Sequence, residues 1–149
     1  MSTTSLTDVS AKAVTARVAR ASCRIVFQPG VFAQLAAENF RVKKGRLEEI
    51  AGLAGMMGAK KTPDLIPHCH PLALQKIEVE VRPEAERFSL KVVCTCRCQG
   101  QTGVEMEALT GASVAALTLY DLCKYQGQRM TISELQLEEK TGGKSDYQR

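Results

Sequence analysis

The chain is 149 residues long, 44% apolar and 24% charged, with a net charge of +4. That is enough chain for one domain with a real core. No apolar run approaches the ~20 residues that span a bilayer, which excludes a membrane protein, and blocks of five or more like charges, the mark of a nucleic-acid tail, are missing.

In chain order, the N-terminus lacks the apolar core of a secretory signal. Residues 1–37 hold a single acid, Asp8, beside Arg17, Arg20 and Arg24, so they read either as an organelle-targeting leader or as folded chain. Residues 17–27 alternate, with Ala19, Ala21, Cys23, Ile25 and Phe27 on one side, the pattern of a half-buried strand. Pro29, which suits a first helical turn, opens a short helix to about residue 39. Residues 41–46, RVKKGR, read as a basic loop with a glycine hinge. Residues 47–60 repeat Leu47, Ile50, Leu53, Ala54 and Met57 at helical spacing, and Gly52, Gly55 and Gly58 let another backbone pack close. Residues 62–71, TPDLIPHCHP, are punctuated by prolines and read as a stiff loop, neither helix nor central strand. Residues 74–82 and 87–98 alternate on either side of PEAE, a hairpin.

Residues 100–124, GQTGVEMEALTGASVAALTLYDLCK, form the helix around which the rest is arranged. Thr102 followed by Glu105 is the spacing of a capping box. Ala108, Ala112, Ala115, Leu119 and Leu122 make a core stripe, while the opposite side, with Met106, Leu109, Leu117 and Tyr120, is too apolar for a solvated face. A helix apolar nearly all round is buried nearly all round, and in a short chain the second cover comes from another subunit. Residues 130–138 give a last strand, and 140–149 a mobile tail.

Strand, two helices, two strands, helix, strand is an α+β, ferredoxin-like order with one extra helix in the first crossover. It predicts an antiparallel sheet with helices on one face and another face that needs cover, a second pointer to an oligomer. Cys94, Cys96 and Cys98 alternate along one strand, where neighbours two apart do not pair, so free thiols in a reducing compartment follow. With Cys69, His68 and His70 they could be read as a metal cluster. The spacers are wrong for zinc, and buried small side chains are favoured.

The candidates for chemistry each carry a plainer reading. Glu105 serves the capping box; Glu107 suits the helix dipole. Asp121 and Lys124, three apart, form a helix-surface ion pair. Lys43, Lys44, Lys140 and Lys144 are solvated charges by default. His68, Cys69 and His70 stand out because a loop held by Pro63, Pro67 and Pro71 aims its side chains in a fixed direction. Glu107 and Asp121 lie fourteen residues apart, about 21 Å along a helix. One compact ligand does not reach both within one chain, so either the site is elongated or two subunits supply it.

The runs AGLAGMMGAKKTPDLIPHCHPL, GQTGVEMEALTGASVAALTLYDLCK and EKTGGKSD resemble the signature blocks of the cyclic pyranopterin monophosphate synthase family, the molybdenum cofactor biosynthesis protein C family. The similarity runs from about Leu6 to the C-terminus. Two departures stand out: the family usually has a further segment before its DVS motif, and His68 occupies a place where leucine is common. The resemblance implies a ferredoxin-like subunit in a homo-oligomer, a hexamer built as a trimer of dimers, with active sites at the dimer seam. It implies conversion of a cyclised dihydro-GTP, made by a radical partner enzyme, to cyclic pyranopterin monophosphate with loss of pyrophosphate. It makes Asp121, Lys124, Lys44 and His70 catalytic, gives His68, Cys69, His70, Met106 and Glu107 to the pterin part of the substrate and Lys140 to phosphate, and counts Glu105 among the substrate-binding residues. No redox change occurs, so no cofactor is required, with Mg²⁺ able to ride on the phosphates. The expected compartment is the cytoplasm, or the mitochondrion in a eukaryotic source. Two rivals remain: a non-catalytic ferredoxin-like oligomer that binds RNA, which would need exposed aromatics on its sheet, and one that binds a nucleotide without turning it over.

Overall fold

The computed structural model describes residues 3–149. Its order is β1 (Thr15–Val26), α1 (Pro29–Ala37), β2 (Arg41–Val42), β3 (Gly45–Arg46), α2 (Leu47–Lys60), α3 (Thr62–Leu65), β4 (Leu74–Glu84), β5 (Ser89–Gly100), α4 (Glu105–Cys123), β6 (Thr131–Thr141) and β7 (Tyr147–Gln148). The main sheet runs β4-β5-β1-β6-β7 with every pairing antiparallel. With β1 and β5 central and helices on one face, this is the expected ferredoxin-like α+β arrangement.

The alternation in β1 and β5 decides the layering. Ala19, Ala21, Cys23 and Ile25, with Val92, Cys94, Cys96 and Cys98, are all buried toward the helices. All six cysteines are free thiols. Burial pushes the Cys23 and Cys123 thiols up to about 12, so they serve as small apolar side chains. On α4 the stripe Ala108, Ala112, Ala115, Leu119 and Leu122 faces the sheet as the periodicity predicts, and a buried leucine such as Leu119 contributes about 1.5–3 kcal/mol.

The close packing of α2 on α4 rests on missing side chains. A Cβ on Gly58 would lie 2.7 Å from Val114, and one on Gly55 would lie 2.9 Å from the Gly111 carbonyl. This corrects the expected stripe on α2. Leu47, Ala51, Gly55, Gly58 and Ala59 are buried, while Leu53 and Met57 point outward, 65% and 56% exposed. The smallest residues face α4 because they allow the nearest approach, and the long apolar ones are left over.

Other expectations are corrected by local geometry. The helix starts at Glu105 with Val104 at its N-cap and no capping side chain, so Thr102 and Glu105 do not form a capping box. Glu105 instead pairs with Lys140 at 3.4 Å. Residues 41–46 are a small hairpin rather than an open loop. The proline-rich stretch starts with one helical turn, Thr62–Leu65, because Pro63 falls in a first turn where its missing N–H costs nothing. Thr62 Oγ1 donates to the Ala59 carbonyl at 2.9 Å and joins that turn to α2.

The outer face of the sheet, expected to need cover, is lined with ion pairs. Arg20 pairs with Glu139 at 3.4 Å, Arg24 is held between Glu84, at 2.6 Å, and Glu134, and Lys76 pairs with Glu78 at 2.9 Å. A polar face of this kind stands in water without a partner, so it supplies no reason for an oligomer. At the C-terminus, β6 extends through Lys140 to Thr141. The chain turns at Gly142, where φ is +83° and a Cβ would strike the Ala16 carbonyl, and Tyr147 pairs back on Lys140.

Candidate functional site

Two clusters of chemically capable side chains lie at opposite ends of α4. At its C-terminal end, Lys124 Nζ stands 2.7 Å from Asp121 Oδ1, and Lys44 Nζ reaches to 3.9 Å from Asp121 Oδ2. Lys44 gets there because the β2–β3 hairpin projects its tip toward the end of α4. Together with Val42, Lys43, Leu122 and Tyr125 these residues line a hollow of ≈ 350 Å³. Three of the four catalytic candidates thus meet, although Lys44 is 77 positions before Asp121.

In the single chain this pair is open to solvent, with side chains 54% and 59% exposed. Lys124 holds the Asp121 carboxyl below the usual carboxylate range, with Lys44 adding a smaller pull, and Asp121 in turn raises the Lys124 amine. On a desolvated helix face burial would offset this mutual support and could bring either group toward neutrality. Within one chain the opposite holds: both groups stay charged, because water rather than protein surrounds them.

The N-terminal end of α4 gathers the rest. Glu105 and Lys140 pair across from β6. Glu107 is 2% exposed, and among the described residues neither of its carboxylate oxygens has a hydrogen-bond partner. Burial pushes its carboxyl up, its own main-chain N–H opposes that, and Glu105 adds to the rise. Cys69 lies close enough to feel both acids: burial raises its thiol first, then Glu107 and Glu105. Met106 is exposed at the same end, and so is His68 on its loop. His70 makes a contact no spacing argument foresees: its ring Nε2 lies 2.7 Å from the main-chain oxygen of Thr7. His70 therefore belongs with this cluster and not with Asp121.

Beside Glu105 and Lys140 opens a hollow of ≈ 460 Å³ whose lining includes four cations, Lys12, Arg17, Lys140 and Lys144, against the one carboxylate of Glu105. Arg17 donates from Nε to the Gly100 carbonyl, 3.1 Å, and from Nη2 to the Gln101 carbonyl, 3.3 Å. Sequence reasoning passed over Lys12 and Arg17. The one available signal was Arg17 on the strand face opposite the apolar residues, indistinguishable there from Arg20 and Arg24. Such a concentration of positive charge suits a polyanion. Among the described residues no three His, Cys, Asp or Glu side chains are placed to hold a metal ion.

From Glu105 to Asp121 is sixteen residues of helix, about 24 Å. Two clusters at that separation, one rich in cations and buried acid, the other an acid between two amines, do not close on one small molecule within a single chain.

Comparison with known proteins bears on this arrangement. A family model described as the MoaC family matches residues 6–143. A protein of Parvibaculum lavamentivorans named cyclic pyranopterin monophosphate synthase is 49% identical over 143 residues, covering 95% of this chain and 88% of the relative. Proteins of the same name from Xanthomonas oryzae pv. oryzae and Rhodospirillum rubrum are 50% and 47% identical, over 95% and 94% of this chain and 85% and 83% of their own lengths.

Proposed function

The chain belongs to the MoaC family, and on that premise we propose that it is a lyase of molybdenum cofactor biosynthesis, converting (8S)-3′,8-cyclo-7,8-dihydroguanosine 5′-triphosphate to cyclic pyranopterin monophosphate with release of pyrophosphate. The name of the relatives supports the reaction. The observation that carries it on the physical side is the pair of half-sites at the two ends of α4.

The active site is composite. A two-fold axis across the outward face of the helix layer sets two copies of α4 antiparallel, so that the Lys44, Asp121 and Lys124 cluster of one chain meets the His70, Glu107 and Lys140 end of its partner. Two equivalent sites result, as an isologous interface requires. The exposed Leu53, Met57 and Leu117 on the outward face of α2 and α4 supply the apolar surface for it. A trimer of such dimers completes the hexamer.

Within the site the roles follow from chemistry. Opening the purine ring, closing the pterin and forming the cyclic phosphate each move protons on and off nitrogen and oxygen, and each placed acid or base contributes about 10²–10⁴ in rate. Asp121 accepts protons and Lys124 donates them; seating them between subunits strips away the water that keeps both charged in the lone chain. Lys44 lies beside them as a second cation. His70, Cys69 and Met106 hold the base-derived ring system, with His68 at the loop tip. Glu107, whose carboxyl burial pushes above the ordinary range, faces the ring system as a polar partner, donating a hydrogen bond when it holds its proton, and Glu105 orients Lys140. The cation-lined hollow takes the triphosphate and steadies the departing pyrophosphate. Mg²⁺ enters as the counter-ion that the phosphates bring, because the lining offers it a single carboxylate. The rearrangement leaves oxidation state unchanged and calls for no redox cofactor. We place the enzyme in the cytoplasm, downstream of a radical enzyme that makes its substrate. In support, among the described residues no helix is long and apolar enough to cross a membrane.

A binding role without turnover is the rival. As an RNA-binding module it has little support, since the residues lining the outer sheet face include no aromatic side chain on which bases could stack.

The test is subunit complementation. Asp121→Asn and His70→Ala chains are each inactive alone on the cyclised substrate. Unfolded together and refolded, a composite site restores about a quarter of wild-type activity, because half of random dimers are hybrids and each hybrid has one intact site. No recovery on mixing, with hybrids demonstrated by native mass spectrometry, sinks the composite site. Wild-type protein that binds the substrate and leaves it unchanged sinks the enzyme.

A further inference from the structure

Residues 3–14 have no regular structure, yet they are tied to the body of the protein at defined points. Ser10 N donates to Asp8 Oδ1 at 2.9 Å and Lys12 N to the Val9 carbonyl at 2.9 Å, which folds 8–12 into a turn. Gln101 Nε2 donates to the Ser10 carbonyl, 3.1 Å, and to the Lys12 carbonyl, 2.9 Å. On the other side of the turn, the Thr7 carbonyl meets His70 Nε2 at 2.7 Å. Gln101 thus clamps one end of a strap whose other end rests on a candidate catalytic ring.

A main-chain carbonyl only accepts hydrogen bonds, so the His70 nitrogen facing it carries a proton. In the neutral imidazole that leaves the lone pair on Nδ1, and Nδ1 becomes the nitrogen able to take a proton from substrate. We infer that the strap of residues 7–12 is a positioning element, held by the Gln101 side chain, that fixes the tautomer and orientation of His70 through the Thr7 carbonyl. This deepens the proposed function and rests on His70 acting on substrate. Because the contact is through the main chain, the side chain at position 7 does not set it; the path of the strap does.

His68 and His70 are the only histidines in the chain, so ¹⁵N-histidine labelling gives a two-residue spectrum. The probe is the proton–nitrogen correlation that reports which ring nitrogen bears hydrogen, recorded at a pH of about 8. The full chain, Gln101→Ala, a chain beginning at Leu6 and one beginning at Ser10 are compared. The full chain and the Leu6 chain, which keeps the Thr7 carbonyl, show His70 with hydrogen on Nε2. The Ser10 chain and Gln101→Ala show a mixture of tautomers, and their kcat falls about 10–100-fold with KM within about threefold, as expected for a misaimed base. Gln101→Ala keeps the strap's sequence and the main-chain carbonyl that Arg17 uses, so it stands as the test if the shortened chain folds poorly. An unchanged Nε2–H tautomer in both variants overturns the inference, and so does a tautomer mixture with unaltered kcat. Failure of the full chain to turn over substrate sinks the proposed reaction and leaves the tautomer result standing, so the two are separable.

Discussion

Asp121 and Lys124 sit one turn apart at the end of α4 with their charged atoms in contact at 2.7 Å, and each draws the other away from neutrality. The carboxylate is held ionised below its ordinary 3.8 and the amine protonated above its ordinary 10.5.

Asp121→Asn is expected to lower kcat by about 10²–10⁴ with far-ultraviolet circular dichroism unchanged, since the pair lies on the surface of the chain. The pH–rate profile of the wild type has a sign that follows from the two shifts. Ionised Asp121 is lost as pH falls through a value below 3.8, and protonated Lys124 is lost as pH rises through a value above 10.5. In the lone chain the pair therefore does not titrate between about pH 5 and 9, and a limb in the wild-type pH–rate profile inside that window that Asp121→Asn abolishes is the sign of the desolvation that the composite site supplies.

Glu107 predicts a stability effect of the opposite kind. Its folded carboxyl titrates above the ordinary 4.5 because it is buried. Below that value both folded and unfolded chains hold the proton; above it the unfolded chain releases its proton first, so stability drains away as pH rises toward the folded value. Glu107→Gln removes that dependence. Its unfolding free energy, from denaturant titrations at each pH, is expected to exceed that of the wild type by a margin that grows with pH, reaching about 1–3 kcal/mol. A constant difference across pH 4 to 8 would count against a neutral Glu107.

Gly58→Ala tests the approach of α2 to α4. The added methyl falls 2.7 Å from Val114, and overpacking of this kind costs about 1–3 kcal/mol. Denaturant midpoints should show the loss in Gly58→Ala and a partial return in Gly58→Ala with Val114→Ala, a coupling that a general propensity effect would not produce.

Leu117→Glu puts a charge on the outward face of α4, where the side chain is 60% exposed in one chain. If the proposed composite site holds, sedimentation shows a smaller species with folded circular dichroism and with activity lost. Unaltered mass and activity would locate the interface elsewhere.

Much of the architecture was readable in the residue order. The alternation of 17–27 and 87–98 placed the two central strands, and the alanine stripe of α4 placed the face it buries. The reading went astray where a side chain's size, rather than its polarity, decided the outcome. On α2, Leu53 and Met57 were read as core because they are apolar, while Gly55 and Gly58 won that face because only they let α4 come near. Thr102 and Glu105 matched a capping spacing, but the chain enters the helix at Val104 and Glu105 is drawn to Lys140. For the site, the resemblance supplied a list of candidate residues and no geometry. No spacing says that His70 and Asp121 fall at opposite ends of one helix, or that Thr7 touches His70.

The sequence by itself determined the periodicities: which residues alternate, which stripe repeats every turn, and hence a ferredoxin-like sheet with helices on one side. Those follow from backbone geometry that acts over a few neighbours at a time. The tertiary structure alone decided that Lys44 joins Asp121 and Lys124, that Lys12 and Arg17 line the hollow with Lys140 and Lys144, and that the two groups lie about 24 Å apart. Such meetings depend on where distant segments cross, and that is set by how closely whole faces pack, a property of the assembled layers that no local pattern encodes.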